Sequence, residues 1–333
     1  MTFRIAIEAT DISFPCEADE SVLDAAHRAG YEIPYSCRKG VCATCEGRLI
    51  DGTALVGGSG PMRTLEGAQD AVTLCQTWPR SDLIMAPRRI ERFDPDARKT
   101  LTANVFRLAR PAPDVAVLHL RFPAGMKVKF RAGQYMQVIL PDGERRSFSM
   151  ANPPSEKDGV QLHVRQIPGG RFSEGILATL KPGDKLQIEL PFGDFFLRED
   201  SDKPIVFVAT GTGFAPIKSI LEDALRRGSA RDIVLYWGAR AEADLYLQEL
   251  PRKWAEQYTN FRFVPVLSEG DATWTGRRGL VHEEVLADLP DLAGHQVYAC
   301  GNPLMVEACR GEFVAQAGLH TSEIYCDAFV HSA

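Results

Sequence analysis

Nowhere in the 333 residues does an apolar run reach the roughly twenty residues needed to cross a bilayer. Residues 1–9 alternate apolar and polar as a strand does, and lack the basic-then-apolar layout of a secretory signal. A cytoplasmic protein is therefore expected. An excess of positive charge is also missing: 38 Lys and Arg against 44 Asp and Glu leave a net charge of −6. That balance argues against nucleic acid or an anionic membrane surface as a partner. The seven histidines (His27, His119, His163, His282, His295, His320 and His331) show no mutual spacing that suggests a metal site. There is no internal repeat and no low-complexity tract. The chain is also too long for one ordinary core, and its length suits two or three domains. Its 45% hydrophobic and 25% charged content is that of globular protein.

Cysteine is what the sequence does have, eight in all. Disulfides are uncommon in a reducing cytosol, so clustered cysteines there hold metal or do redox work. Cys37, Cys42, Cys45 and Cys75 form such a set, whereas Cys16, Cys300, Cys309 and Cys326 are scattered and read as small buried hydrophobes.

The order of elements gives the organisation. Residues 3–9 and 12–16 read as strands about a turn at Thr10-Asp11, and residues 21–29 as a helix capped by Ser21 and stopped at Gly30. Residues 86–99 are charged, carry two prolines and show no amphipathic period, so they read as a linker at a domain boundary. Short strands follow at 102–108, 115–122, 134–140, 146–150, 160–166 and 185–190, which suggests a small antiparallel barrel. From residue 203 strands alternate with helices, the pattern of a doubly wound parallel sheet. The expected architecture is multidomain, α+β then α/β, with residues 1–88, a linker at 89–100, a barrel at 101–200 and a nucleotide domain at 201–333.

Cys37-Arg-Lys-Gly-Val-Cys42-Ala-Thr-Cys45, with Cys75 further on, has the C-x4-C-x2-C…C spacing of plant-type [2Fe–2S] centres. Three thiolates in one tight loop surround the iron pair and a distant fourth closes the site. Gly40 can take the left-handed conformation such loops need, and small Ala43 and Thr44 leave room for N–H groups aimed at the sulfides. Zinc also takes four thiolates, but zinc ribbons offer two C-x2-C knuckles and only Cys42–Cys45 is one here. The stretch IPYSCRKGVCATCEGRL resembles the ferredoxin domains of bacterial oxygenase reductases, which implies a β-grasp fold for residues 1 to about 88.

Arg146-Ser-Phe-Ser149 ends a strand, and HVRQIPGGRFSEGI then supplies a Gly-Gly turn opening a helix, where backbone N–H groups can meet a phosphate. Together they resemble the FAD domain of the ferredoxin–NADP reductase superfamily, a Greek-key barrel. The resemblance implies that Arg146 pairs with the FAD pyrophosphate, Phe148 lies against the isoalloxazine and Ser149 hydrogen-bonds N5, the atom that accepts hydride. Gly170, Arg171, Phe172 and Ser173 would hold the pyrophosphate. FMN-binding cousins carry the cluster domain at the other end of the chain.

Thr210-Gly211-Thr212-Gly213-Phe-Ala-Pro216 follows a buried strand and opens a helix. Glycines let the backbone approach a pyrophosphate at a helix N-terminus, and Pro216 suits the first turn. With Tyr236-Trp-Gly-Ala-Arg240, Cys300-Gly301-Asn-Pro303 and the terminal IYCDAFVHSA, this turn is similar to the NAD(P) domain of the same superfamily. By that resemblance Cys300 sits near nicotinamide C4 and Phe329 covers the flavin face that nicotinamide must reach. The alternative readings are a thiol filling a strand end for Cys300 and a tail aromatic packing on the nearest domain for Phe329. Asp244 suits the free 2′-hydroxyl of NADH and Arg240 the 2′-phosphate of NADPH, so both cofactors stay open, with NADH preferred.

The order [2Fe–2S], FAD, NAD(P) is similar to that of the reductase components of aromatic-ring-hydroxylating dioxygenases. SFSMANPP and TGTGFAPIKSIL resemble the terephthalate branch of that family. The resemblance implies a monomeric, NAD(P)H-dependent oxidoreductase feeding a terminal oxygenase. Reductases of di-iron monooxygenases or of deoxysugar dehydrases are the alternatives, and a carrier with a degenerate reductase portion is a third. The cluster would work near about −400 mV if it behaves as ordinary plant-type centres do.

Overall fold

The computed structural model describes residues 1–58, 60–67 and 70–330. His331 and the two residues after it, which fall in the expected third domain, lie outside the described residues. Two compact units emerge among the described residues, one formed by residues 1–95 with 326–330, the other by 96–325.

In the first unit the strands Thr2–Ile7 and Ser13–Glu17 form the expected hairpin, with Ala9 in the left-handed region at its turn. The helix Val22–Arg28 follows, and the Ser21 hydroxyl accepts from Asp24 N–H as its cap. A five-stranded mixed sheet joins residues far apart in sequence: Leu83–Pro87 lies parallel to Thr2–Ile7 and antiparallel to Glu46–Asp51. Ile5, Leu23, Ala26, Leu49, Leu74 and Met85, none more than 2% exposed, form its core.

Residues 86–99 are more ordered than their charge and prolines suggest. Ala86 and Pro87 finish a strand, Glu91–Arg92 pairs with Tyr31–Glu32, and Phe93 N–H donates to Gly30 O at 2.9 Å. Backbone pairing and the Phe93 ring, edge-on to His27 at 5.2 Å, outweigh an unfavourable side-chain composition.

Six strands of the second unit make an antiparallel sheet in the spatial order Arg145–Ser149, Tyr135–Ile139, Lys185–Phe192, Lys99–Ala112, Val115–Arg121, Gly159–Arg165. A bridge between Met150 and Leu162 joins the two edges, so the sheet closes into a barrel. Alternating residues such as Val105, Leu118, Met136, Val138, Leu162 and Ile188 fill it. Beyond it lies a second six-stranded sheet, with Ile205–Thr210 between Ile233–Ala239 and Gln296–Gly301, all three parallel. The chain runs outward to one side from Ile205–Thr210 and then returns to its other side. Strand order reverses at that strand's carboxyl end, the place where open α/β sheets bind ligands.

Candidate functional site

The loop that holds Cys37, Cys42 and Cys45 is made of turns and bends, and three of its residues take positive φ: Arg38 (55°), Gly40 (78°) and Ala43 (54°). At Gly40 a Cβ would stand 2.6 Å from Gly58 Cα, so a side chain is excluded by contact as well as by conformation. Arg38 and Ala43 are non-glycine residues held left-handed, which costs local energy and is characteristic of sites whose geometry the surroundings impose. Cys75 arrives on the short turn Leu74–Gln76, anchored by the fully buried Leu74.

Among the described residues no three His, Cys, Asp or Glu side chains surround one point as a single ion requires. The four thiols fall instead into two hydrogen-bonded pairs, Cys37 with Cys42 and Cys45 with Cys75. That grouping suits a two-iron cluster, with one pair of thiolates for each iron. Lys39 and Cys42 N–H groups each lie 3.4 Å from Cys37 Sγ. The Cys42 hydrogen bond, aided by those N–H groups and opposed by burial, draws the Cys37 thiol down to about 5. The hydrogen bond from Cys37 and then burial push Cys42 up, and Cys75 with burial does the same for Cys45. A bound cation would displace those protons. By contrast, burial first and then Glu20 push Cys16 up to about 12, and all four scattered cysteines are buried.

Around the barrel the residues singled out from sequence converge. Arg146 and Arg171 lie 25 positions apart, yet both guanidinium groups reach the same oxygen, Glu144 Oε2, at 2.8 and 2.7 Å. Arg171 also pairs with Asp142 at 2.5 Å and holds that carboxyl below its usual range. The structure thus brings two cations to one anionic oxygen, the arrangement a diphosphate requires. The rings of Phe148 and Phe172 lie 4.9 Å apart, and Ser149 is buried at its strand end opposite Tyr135. Gly170 opens a π-helical turn, Arg171–Ile176, where a regular helix start was expected. Its carbonyl accepts from both Glu174 and Gly175 N–H. Ser173 Oγ already accepts from Ile167 N–H at 3.2 Å, so its first task is to shape the turn.

The turn Gly211–Gly213 sits at the reversal point, and the helix Phe214–Arg226 starts directly after it with Pro216 in its first turn. Gly213 passes so close to the neighbouring strand that a Cβ would lie 2.2 Å from Cys300 O. Thr210 Oγ1 accepts from Asn302 N–H at 2.8 Å, and Asn302 caps the helix Pro303–Ala317. Trp237 donates to Gly211 O at 3.1 Å and stacks on Phe214 with centroids 4.0 Å apart. Thr212, Gly213, Cys300 and Gly301 therefore share one strand-end cluster, with Cys300 fully buried. Arg240 is exposed after its strand, and the half-buried Asp244 carboxylate accepts from Ala241 N–H at 3.2 Å, bracing its own turn. The half-buried Phe329 lies in the 326–330 segment that groups with the first unit.

Two features escaped the sequence reading. Arg165 faces the nucleotide turn, and a Cβ on Gly211 would meet its Nη1 at 3.1 Å. Its Nε is 3.1 Å from Asp114, but the N–H is not aimed at that carboxylate, and Nη2 has no hydrogen-bond partner among the described residues. Buried His163 bonds Tyr246 at 2.8 Å, joining the barrel to the helical layer. Burial, then the charge of Lys218, then His119 push its pKa well below the ordinary value. The strand "HVR" carried both residues, but only the glycines after it had a recognisable spacing.

Comparison with known proteins gives the family of each domain. Residues 5–80 match the 2Fe-2S iron-sulfur cluster binding domain, 104–197 the oxidoreductase FAD-binding domain and 207–311 the oxidoreductase NAD-binding domain. The chain is 44% identical over 330 residues to terephthalate 1,2-dioxygenase, reductase component 2, of Comamonas sp., covering 99% of this chain and 98% of that protein. It is 36% identical over 332 residues to the CDP-6-deoxy-L-threo-D-glycero-4-hexulose-3-dehydrase reductase of Yersinia pseudotuberculosis, covering the whole of each. The crystal structure of an Amycolatopsis cytochrome P450 reductase superposes with a TM-score of 0.73 at 31% identity over the full length of both chains. A paired-thiol loop, a doubly cationic barrel rim and a glycine turn at the switch point, in one chain and in that order, place this protein in the family of three-domain iron–sulfur flavoprotein reductases that use a [2Fe–2S] cluster, FAD and NAD(P)H.

Proposed function

We propose that this chain is the NADH-oxidising reductase component of a terminal oxygenase, with a Rieske-type aromatic dioxygenase as its partner. The observation that carries the reading is the 44% identity, over 99% of the chain, to a dioxygenase reductase component. When bound, FAD accepts two electrons together and releases them singly, so it can mediate between a hydride donor and a one-electron cluster.

The protein's own groups bind and orient. Arg146 and Arg171 exchange Glu144 for the FAD diphosphate, with Gly170 and Ser173 shaping the turn beneath it. Phe148 and Phe172 would supply the apolar wall and Ser149 would be the hydroxyl offered to flavin N5. Gly211, Thr212 and Gly213 offer backbone N–H groups and a helix N-terminus to the nicotinamide cofactor's pyrophosphate, with Pro216 fixing the first turn. Arg240 and Asp244 flank the adenosine ribose, and Cys300 and Gly301 line the nicotinamide end. Cys37, Cys42, Cys45 and Cys75 hold the cluster. No strong acid or base is required, because hydride and electrons are what move. We assign domain limits of 1–88, 101–200 and 201–333 about a connector at 89–100. The protein works as a cytoplasmic monomer, in keeping with eight unbridged cysteines and no helix, among the described residues, long and apolar enough to span a membrane.

The 36% identity to a dehydrase reductase over the whole chain supports a second reading, with a deoxysugar dehydrase as the electron acceptor. Reconstitution separates the two. With NADH and a purified Rieske oxygenase encoded beside this gene, the protein should drive hydroxylation of an aromatic substrate. Transfer only to a neighbouring sugar dehydrase would overturn the dioxygenase assignment.

A further inference from the structure

The segments holding SFSMAN and GTGFAPIKS, separated by some sixty residues, meet in the fold. The helix Phe214–Arg226 begins at the nucleotide turn, and one turn further in it presents Lys218 and Ser219, 7% and 0% exposed. Lys218 Nζ donates to Ala151 O at 3.0 Å and pairs with Glu222 at 2.9 Å. Ser219 Oγ donates to Asn152 O at 2.6 Å and accepts from Gly133 N–H at 3.4 Å. The next residue, Ile220, packs so near Gly133 that a Cβ there would meet its Cδ1 at 2.7 Å.

Ala151 and Asn152 are the second and third residues after Ser149. Their N–H and side-chain groups are committed to the barrel: Ala151 N–H donates to Gln161 O, and the Asn152 amide spans Gly159 O and Gln161 N–H. Their carbonyls are what the helix takes. A buried ammonium is costly unless paired, and an apolar side chain of equal length would fill the same space without that cost. What the lysine and serine add is direction, because hydrogen bonds fix the register of helix against strand where apolar packing would allow it to slide.

We propose that Lys218 and Ser219 are positioning residues for hydride delivery. They lock the strand end bearing Ser149 to the helix that carries the nucleotide turn, so the two halves of the site keep one fixed spacing. An error of about 1 Å between reacting groups can cost on the order of 100-fold in rate, even when both ligands bind normally. The inference rests on FAD lying against Ser149, which the flavin reduction rate of Ser149→Ala tests separately.

The test uses the full-length holoprotein with the substitutions Lys218→Met plus Ser219→Ala, Ser219→Ala alone, and Lys218→Arg. Four readouts are taken: FAD per chain, the dissociation constant for NAD+, the long-wavelength charge-transfer absorbance on anaerobic mixing with NADH, and the flavin reduction rate at saturating NADH. The double variant should keep its FAD and bind NAD+ within about 3-fold of the parent, yet lose most of the charge-transfer absorbance and reduce flavin about 10–100-fold more slowly. Lys218→Arg should restore much of that absorbance, since it keeps a cationic donor. Unchanged absorbance and rate would overturn the proposal, as would a loss of NAD+ affinity that accounts for the whole rate loss. If the double variant fails to retain FAD, Ser219→Ala decides by the same two criteria, since it removes one hydroxyl and no framework.

Discussion

Ser149 carries a buried hydroxyl at the end of the strand that also bears Arg146 and Phe148. If it donates to flavin N5, it supports charge developing there as hydride arrives. Ser149→Ala should then slow flavin reduction by roughly 10–1,000-fold, as oxyanion-hole deletions do. FAD content should stay full, because the two arginines are untouched; stopped-flow bleaching at saturating NADH and the oxidised spectrum measure both quantities. His163 gives a second residue-scale prediction. Tyr246, Gln161, His119 and Lys218 face it, and burial keeps the ring neutral in the fold, so its pKa lies below the unfolded value near 6.5. The unfolded chain takes up a proton there that the folded chain refuses. The contribution of this group to stability is therefore complete above pH 6.5 and is lost progressively as pH drops below it. Denaturant midpoints of His163→Gln against the parent should converge, or cross in the variant's favour, between pH 7 and 5. A constant gap would show that the ring is not held neutral.

At the scale of elements, legibility followed how local each signal was. The helix capped by Ser21, the barrel strands and the alternating α/β elements all appear close to where periodicity and turn residues put them. Short-range patterns decide those. The small strands at Glu46–Asp51, Thr53–Val56, Arg63–Glu66 and Ala71–Thr73 were not read, since they are held by pairing across the sheet more than by their own composition. The 86–99 segment does hold the boundary between the units, but its pairing with Tyr31–Glu32, some sixty residues away, is not written in its composition. The candidate cluster ligands stand out in the sequence because their spacing is short, whereas Arg165, Lys218 and His163 make contacts no spacing announces. Cys75 combines both cases, a proposed ligand delivered by a distant turn that Leu74 anchors. Cys75→Ser should leave the fold of both units largely intact by circular dichroism while removing most of the iron, because three thiolates cannot close the site. Full iron and labile sulfide in that variant would displace Cys75 from the ligand set.

For the whole molecule, two units with separate cores mean that the reductase part should stand alone. A chain beginning at Leu101 should fold, bind FAD and reduce ferricyanide with NADH, yet lose the parent's rate toward cytochrome c. Its 326–330 segment groups with the first unit, where Thr44 Oγ1 donates to Cys326 O at 3.2 Å and Ser36 to Asp327. Limited proteolysis should therefore cut that segment first. Aggregation from every start point between residues 92 and 101 would contradict the separation. The central claim is that one chain carries electrons from NADH through FAD to its own [2Fe–2S] cluster, and anaerobic titration with NADH tests it most directly. The flavin band should bleach and a low-temperature electron paramagnetic resonance signal of a reduced [2Fe–2S] centre should grow to about one spin per chain, with about two iron and two labile sulfide present. Stoichiometric zinc without sulfide, or complete flavin bleaching with no cluster signal, would contradict it.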